Sequence, residues 1–180
     1  MFKDFNISSF KKMKPPGDNT FDTSQEIKAL KKIPLRKEFV KDYDDIESAF
    51  AKTAKNNNIK NYDKKIPAKL IKDSAPIIIK LKEYFNRPRP KVLAKKMNIK
   101  MKDYEMSSMK TPSYPSGHSV QGILIAKVLG DKHPKAKSAF AKTGENISYS
   151  RRVAHAHYKS DSKMGEKLGN SMYKHIKNKI

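Results

Sequence analysis

The chain contains no cysteine. Disulfides are excluded, as is any thiolate-held metal site, and the redox compartment is left open. Acidic residues are scarce: 18 Asp and Glu stand against 40 Lys and Arg, for a net charge of +22. Long apolar runs are absent as well. The most apolar stretch, Val120 to Leu129, is interrupted by Gln121 and Lys127 and falls well short of the ~20 residues needed to span a bilayer. Met1-Phe2-Lys3-Asp4-Phe5-Asn6 has no basic cap ahead of an apolar core, so no export signal is read there. Internal repeats and strand-like alternation are also lacking. A soluble chain without a transmembrane segment is expected.

What is present is enough for one domain. The chain has 180 residues, of which 37% are hydrophobic, and its mean hydropathy is −0.80. A core is still expected, because the apolar residues recur at helical spacing. The positive field attracts phosphate-bearing partners of any kind, whether substrate, nucleic acid or anionic lipid. The plainer reading of most of these lysines is a solvated surface.

Residues 1–22 read as an irregular arm around Lys14-Pro15-Pro16-Gly17, and residues 23–180 as a single helical domain. Thr23 with Glu26 forms a capping-box signal for a helix to about Lys32, stopped by Pro34. Phe39, Tyr43, Ile46 and Phe50 form one stripe on a helix from Leu35 or Arg36 to Lys55. A short helix over Ile66 to Asp73 is followed by a new one, capped by Ser74, running to Phe85. Lys91 to Tyr114 reads as loop, with a helical turn at Val92 to Met97. Further helices are expected from His118 to Gly130, from Pro134 to Arg151, and from Ser160 (as cap) through Met164, Leu168, Met172 and Ile176. The fold class is all-α, a bundle of about six or seven helices.

Three polar segments stand out. Lys80 and Arg87 lie seven residues apart on one helix face, two cations that need a shared anion or solvent. Ser116-Gly117-His118 opens a helix, whose first N–H groups can bind oxyanions. Arg151 precedes His157, which is followed four residues later by Asp161. An aspartate beside a histidine fixes its tautomer and leaves the other ring nitrogen free to attack. Phosphoryl transfer needs such a nucleophile, charge neutralisation at the equatorial oxygens and a proton for the leaving group. The catalytic candidates are therefore His157 as nucleophile, Asp161 behind it and His118 as general acid and base. Lys80, Arg87, Ser116, Gly117 and Arg151 are the phosphate-binding candidates, with Ser150 as a supporting residue.

The order Lys80-x6-Arg87-Pro88, Pro115-Ser116-Gly117-His118 and Ser150-Arg151-x5-His157-x3-Asp161 resembles the type 2 phosphatidic acid phosphatase (PAP2) and haloperoxidase superfamily. Gly165 and Leu168-Gly169 bring it nearest to the bacterial class A non-specific acid phosphatases. The motif-bearing core spans residues 76–170. The resemblance implies a single-domain helical bundle of that type and the same site assignments. It implies a phosphohistidine intermediate on His157 and no metal or other cofactor, with phosphate or vanadate as the oxyanion that fills the site. A phosphate-ester substrate is the expected partner, with electrostatic contact to anionic lipid or nucleic acid, or homo-oligomerisation, as further expectations. Without an export signal, the chain is expected to be cytoplasmic or virus-associated rather than classically secreted.

Phosphate monoester hydrolysis is the favoured function. The alternatives are a lipid phosphate phosphatase at a membrane surface, a vanadium haloperoxidase, or a non-enzymatic basic protein. Lys159 is expected to add charge at the pocket mouth and favour polyanionic substrates. His155 reads as structural or pocket-lining, and Met97, Met101, Met106 and Met109 as loop packing.

Overall fold

The structure is a computed structural model that describes residues 1–179. Helix α7 (Gly117–Lys132) is apolar nearly all round, with Val120, Leu124, Ile125, Val128 and Leu129 buried, as suits a helix at the centre of a bundle. Three helices pack on it: α5 (Lys65–Phe85), α8 (Lys137–Val153) and α9 (Lys159–Ile176). Glycine lets two of these contacts close to backbone distance. A Cβ on Gly144 of α8 would stand 2.6 Å from the Gly122 carbonyl of α7, and one on Gly165 of α9 would stand 2.6 Å from the Ser116 carbonyl. The second contact fixes the N-terminal end of α7, where the site lies.

Around this centre lie α1 (Ser8–Lys11), α2 (Phe21–Lys31), α3 (Lys37–Asp44), α4 (Ile46–Asn56) and α6 (Pro90–Lys96), with short 3-10 turns at Ser107–Lys110 and Pro134–Ala136. The described residues thus hold nine α-helices rather than six or seven, and no strand. The all-α class stands as expected.

The differences have local causes. The helix expected from Leu35 to Lys55 is two helices, because Asp45 leaves helical geometry to cap α4, its Oδ1 accepting from the Ser48 amide at 2.7 Å. The two helices expected across residues 66–85 are one. Leu70, Ser74, Ile78 and Leu81 bury one face straight through Pro76. The carbonyl that Pro76 deprives of a partner belongs to the exposed Lys72, where water can satisfy it. Helix α2 is capped by Thr20, not by a Thr23–Glu26 box: Thr20 Oγ1 accepts from the Thr23 amide at 3.3 Å. Glu26 instead reaches Ser160, accepting from its amide and its hydroxyl at 2.7 Å each. Ser160 therefore does not cap α9; Asp161 turns back to accept from the Tyr158 amide at 3.0 Å.

Residues 1–22, expected as an irregular arm, contain α1 and are packed against the bundle. Phe2 and Phe10 are buried in the main core. The ring of Phe5 lies edge-on to His175 near the end of α9, with centroids 5.5 Å apart. Tyr114 donates to the Met13 carbonyl at 2.7 Å.

Candidate active site

The site forms where the N-terminus of α7, the C-terminal half of α5 and the turn between α8 and α9 meet. They enclose a cleft of about 200 Å³ lined by Lys82, Arg89, Gly117, His118 and His157, with Ala75, Ile78 and Ile79 of α5 as an apolar wall. This is smaller than the ~300–1,000 Å³ that suits drug-sized ligands.

His157 is the best-defined group. Its Nδ1 lies 3.0 Å from Asp161 Oδ2, and its Nε2 lies 2.9 Å from Arg89 Nη1. A guanidinium has only protons to offer, so Nε2 accepts and Nδ1 carries the ring proton. Burial, then the charges of Arg89, Lys82 and Arg151, hold the imidazole well below its ordinary pKa, so it is neutral. Nε2 is thus an unprotonated lone pair at the cleft.

Asp161 is fully buried. It accepts from His157 Nδ1, from the Tyr158 amide at 3.0 Å, from Arg87 Nη1 at 2.7 Å and from the Ser113 hydroxyl in a short hydrogen bond. Burial pushes its pKa up to about 6 against the pull of Arg87. At neutral pH it is a carboxylate, the only form that suits four donors.

The Lys80–Arg87 frame is corrected by two residues. Lys80 is exposed, while Lys82 is buried, with its Nζ donating to the Pro112 carbonyl at 2.5 Å. Two residues along an α-helix is a turn of about 200°, so only one of the two lysines can face the cleft. Arg89 likewise replaces Arg87 beside His157. The stretch Lys80-Leu-Lys-Glu-Tyr-Phe-Asn-Arg-Pro-Arg-Pro90 contains Lys-x6-Arg-Pro twice, and the buried stripe decides between the frames. Lys82 lies four residues after the buried Ile78; Lys80 does not continue that stripe. This periodicity was the available signal. Burial and the nearby Arg89 push Lys82 down to about 7.

Arg89 is fully engaged by the protein itself. Nε donates to the Thr111 carbonyl at 2.9 Å, Nη1 to Ala156 at 3.0 Å as well as to His157, and Nη2 to the Ser108 carbonyl at 3.0 Å. Main-chain oxygens of residues 108–112 thus occupy the two cations of the cleft.

At the start of α7 the donors differ from those expected. The Ser116 amide is taken by the Asp161 carbonyl at 3.1 Å, and its side chain caps the helix. Gly117 and His118 line the cleft, and their amides fall in the first helical turn, where N–H groups lack an intrahelical partner. His118 Nε2 donates to the Asp44 carbonyl at 2.9 Å, which leaves Nδ1 as the nitrogen able to gain and lose a proton. Burial and then Arg151 push His118 down to about 4.

Arg151 is buried beside this pair. Nη1 donates to Asp44 Oδ1 at 2.8 Å and Nε to Ser150 Oγ at 3.0 Å, in keeping with a supporting Ser150. Nη2 is buried with no hydrogen-bond partner among the described residues. Asp44, at the end of α3, holds both His118 and Arg151. It was not singled out in the sequence, where it falls inside the helix expected from Leu35 or Arg36 to Lys55.

Other expectations resolve plainly. Lys159 is exposed and does not line the cleft. His155 is structural: its ring nitrogens lie 2.6 and 2.7 Å from the Lys102 and Ile33 carbonyls, with φ at 54°. Met97 and Met101 pack on one small cluster and Met106 and Met109 on another. Among the described residues, no helix is long and apolar enough to cross a membrane, and no three His, Cys, Asp or Glu side chains are grouped to hold a metal.

The bundle thus gathers two cations, the start of α7 and two histidines around one small cleft. The sequence matches the PAP2 superfamily over residues 73–173, and the chain belongs to that family. It is 36% identical to a non-specific acid phosphatase of Salmonella typhimurium and 35% identical to one of Salmonella typhi, each over 88 residues. Those stretches make up 49% of this chain and 35% of each relative, so the chain matches about a third of their length. Among solved structures it resembles a transmembrane PAP2-type phosphatidylglycerolphosphate phosphatase from Bacillus subtilis. The TM-score is 0.61 at 18% identity, over 99% of this chain and 96% of that one, a likeness of fold.

Proposed function

We propose that this chain is a phosphatase that hydrolyses phosphate monoesters through a phosphohistidine on His157. The observation that carries this reading is the pairing of His157 Nδ1–H with Asp161, which leaves the Nε2 lone pair in a cleft with Lys82, Arg89, Gly117 and His118.

The phosphoryl group of a substrate takes over the Arg89 Nη1 proton now held by His157, and so frees the lone pair. Lys82, Arg89, the Gly117 and His118 amides and the unpaired Arg151 Nη2 neutralise its oxygens. His157 Nε2 attacks phosphorus as the bond to the ester oxygen breaks, and His118 Nδ1 gives that oxygen its proton. Water then attacks phosphorus, His118 takes a proton from it, the P–N bond breaks and phosphate leaves. No metal is required in this scheme.

His118 must be protonated for the first step, although burial and Arg151 push it down to about 4. A bound phosphate dianion supplies the missing countercharge and raises it, so substrate brings a proton with it. Turnover of p-nitrophenyl phosphate tests the proposal. Wild type should turn over and His157→Ala should not; full turnover by His157→Ala would remove the nucleophile from the scheme.

A further inference from the structure

We infer that Arg87 is a positioning residue for the proposed reaction: it keeps Asp161 an anion, and so keeps the proton of His157 on Nδ1. The inference rests on the phosphatase reading of the site and assigns a role to an arginine that does not face the cleft.

Arg87 and Arg89 are two residues apart in the Arg-Pro-Arg-Pro segment, yet their guanidiniums reach different members of the pair: Arg89 lines the cleft and Arg87 does not. Arg89 meets His157 from the front. Arg87 meets Asp161 from behind, Nη1 at 2.7 Å from Oδ1, and is 1% exposed. Its guanidinium is clamped: Nη1 also donates to Ser160 Oγ at 2.7 Å, Nη2 to Glu26 Oε2 at 3.1 Å, and its Cζ lies 3.7 Å from the Tyr158 ring centroid. Glu26 in turn binds the Ser160 amide and hydroxyl. The N-terminal third, which carries none of the motifs, thereby reaches the catalytic pair.

A buried carboxylate without a countercharge takes up a proton. The charged groups facing Asp161 show which of them can prevent this. Lys82 and Arg89 also act on it, but from the cleft, where a bound phosphate would spend their charge. Tyr114 and Tyr158 are neutral phenols, both raised by burial. Glu26 opposes Arg87 from α2 and weakens its field without cancelling it. Arg87 is the cation that stays with Asp161 throughout the cycle. If Asp161 becomes an acid, its hydrogen can be given to His157 Nδ1; the imidazole then carries its own proton on Nε2, where it cannot attack.

The test is the pH dependence of kcat/KM for p-nitrophenyl phosphate. In Arg87→Met the acidic limb should move up by about one pH unit or more. Activity should fall at least about tenfold at pH 5 and recover towards wild type by pH 8. Arg87→Lys keeps the charge but not the fork, so its limb should fall between the two. An acid limb that stays in place, with activity lowered evenly at every pH, would reduce Arg87 to a packing residue and overturn the inference. Should Arg87→Met not fold, Arg87→Lys and the Asp161→Asn background decide. Substituting Arg87 by Lys should shift the limb in the presence of Asp161 and do nothing further in its absence; an equal effect in both backgrounds refutes the role. Trapping of phosphoenzyme in wild type separates the two levels. With no phosphohistidine, the reaction scheme fails; with phosphohistidine and an unmoved limb, only the assignment of Arg87 fails.

Discussion

Anion binding in this cleft should be strongly coupled to protons, and the size of the coupling follows from Lys82. Burial and the charge of Arg89 push that lysine down to about 7. A tetrahedral dianion between them removes the repulsion and restores an ordinary ammonium. The sign is fixed: the ligand binds the protonated form, so affinity is complete below pH 7 and is lost above it. Between pH 6 and pH 8 one such proton weakens binding about tenfold, or ~1.4 kcal/mol. Sulfate is the suitable probe, since its own charge is constant over this range. Isothermal titration in buffers of different ionisation enthalpy reads both the affinity and the proton uptake. Lys82→Arg, which cannot lose its charge at these pH values, should lose this tenfold component between pH 6 and pH 8 and keep only what His118 contributes. A wild-type affinity flat over that interval would show that Lys82 is not the anion's partner. His118, pushed down to about 4 by burial and Arg151, should add its own proton uptake when the anion raises it.

Three further outcomes separate the residues of the site from their neighbours. Lys80→Ala should leave kcat/KM within about twofold of wild type, whereas Lys82→Ala should cost at least about a hundredfold, the scale of one lost oxyanion donor; equal effects would undo the assignment of frame. Asp44→Ala should lower kcat/KM about tenfold, a modest loss because this carboxylate is partly exposed, while the backbone contact to His118 persists; unchanged kinetics would make the Arg151–Asp44 pair incidental. Gly165→Ala should destabilise the fold by about 1–3 kcal/mol, as overpacking does, read as a lowered Tm, and also raise KM, since the atom it crowds is the Ser116 carbonyl. An unaltered Tm would show that α9 can shift freely against α7.

The helical class and the pairing of His157 with Asp161 were legible in the sequence for physical reasons. Val120, Leu124 and Val128, and then Leu168, Met172 and Ile176, repeat at helical spacing, and His157 and Asp161 are too close in sequence to be far apart in space. Long-range choices were less legible. Lys80 and Lys82 offer the same local pattern, and only the buried stripe through Ile78 separates them. Ser116 looks free at a helix start until the Asp161 carbonyl of another helix takes its amide. Glu26 satisfies a local capping rule, but its carboxylate is worth more 134 residues away at Ser160. Asp44 becomes visible only because Asp45 breaks the helix and turns the chain toward Arg151. In each case a tertiary partner outcompeted a local one.

The central claim is a covalent bond between phosphorus and His157 Nε2. Rapid mixing with a phosphate ester, followed by an alkaline quench and mass spectrometry of the digested chain, tests it most directly. The account predicts an acid-labile, alkali-stable phosphoramidate on the peptide containing His157, formed within one turnover and absent from His157→Ala. Turnover with no phosphorylated His157, or with phosphate found on His118 instead, would contradict it.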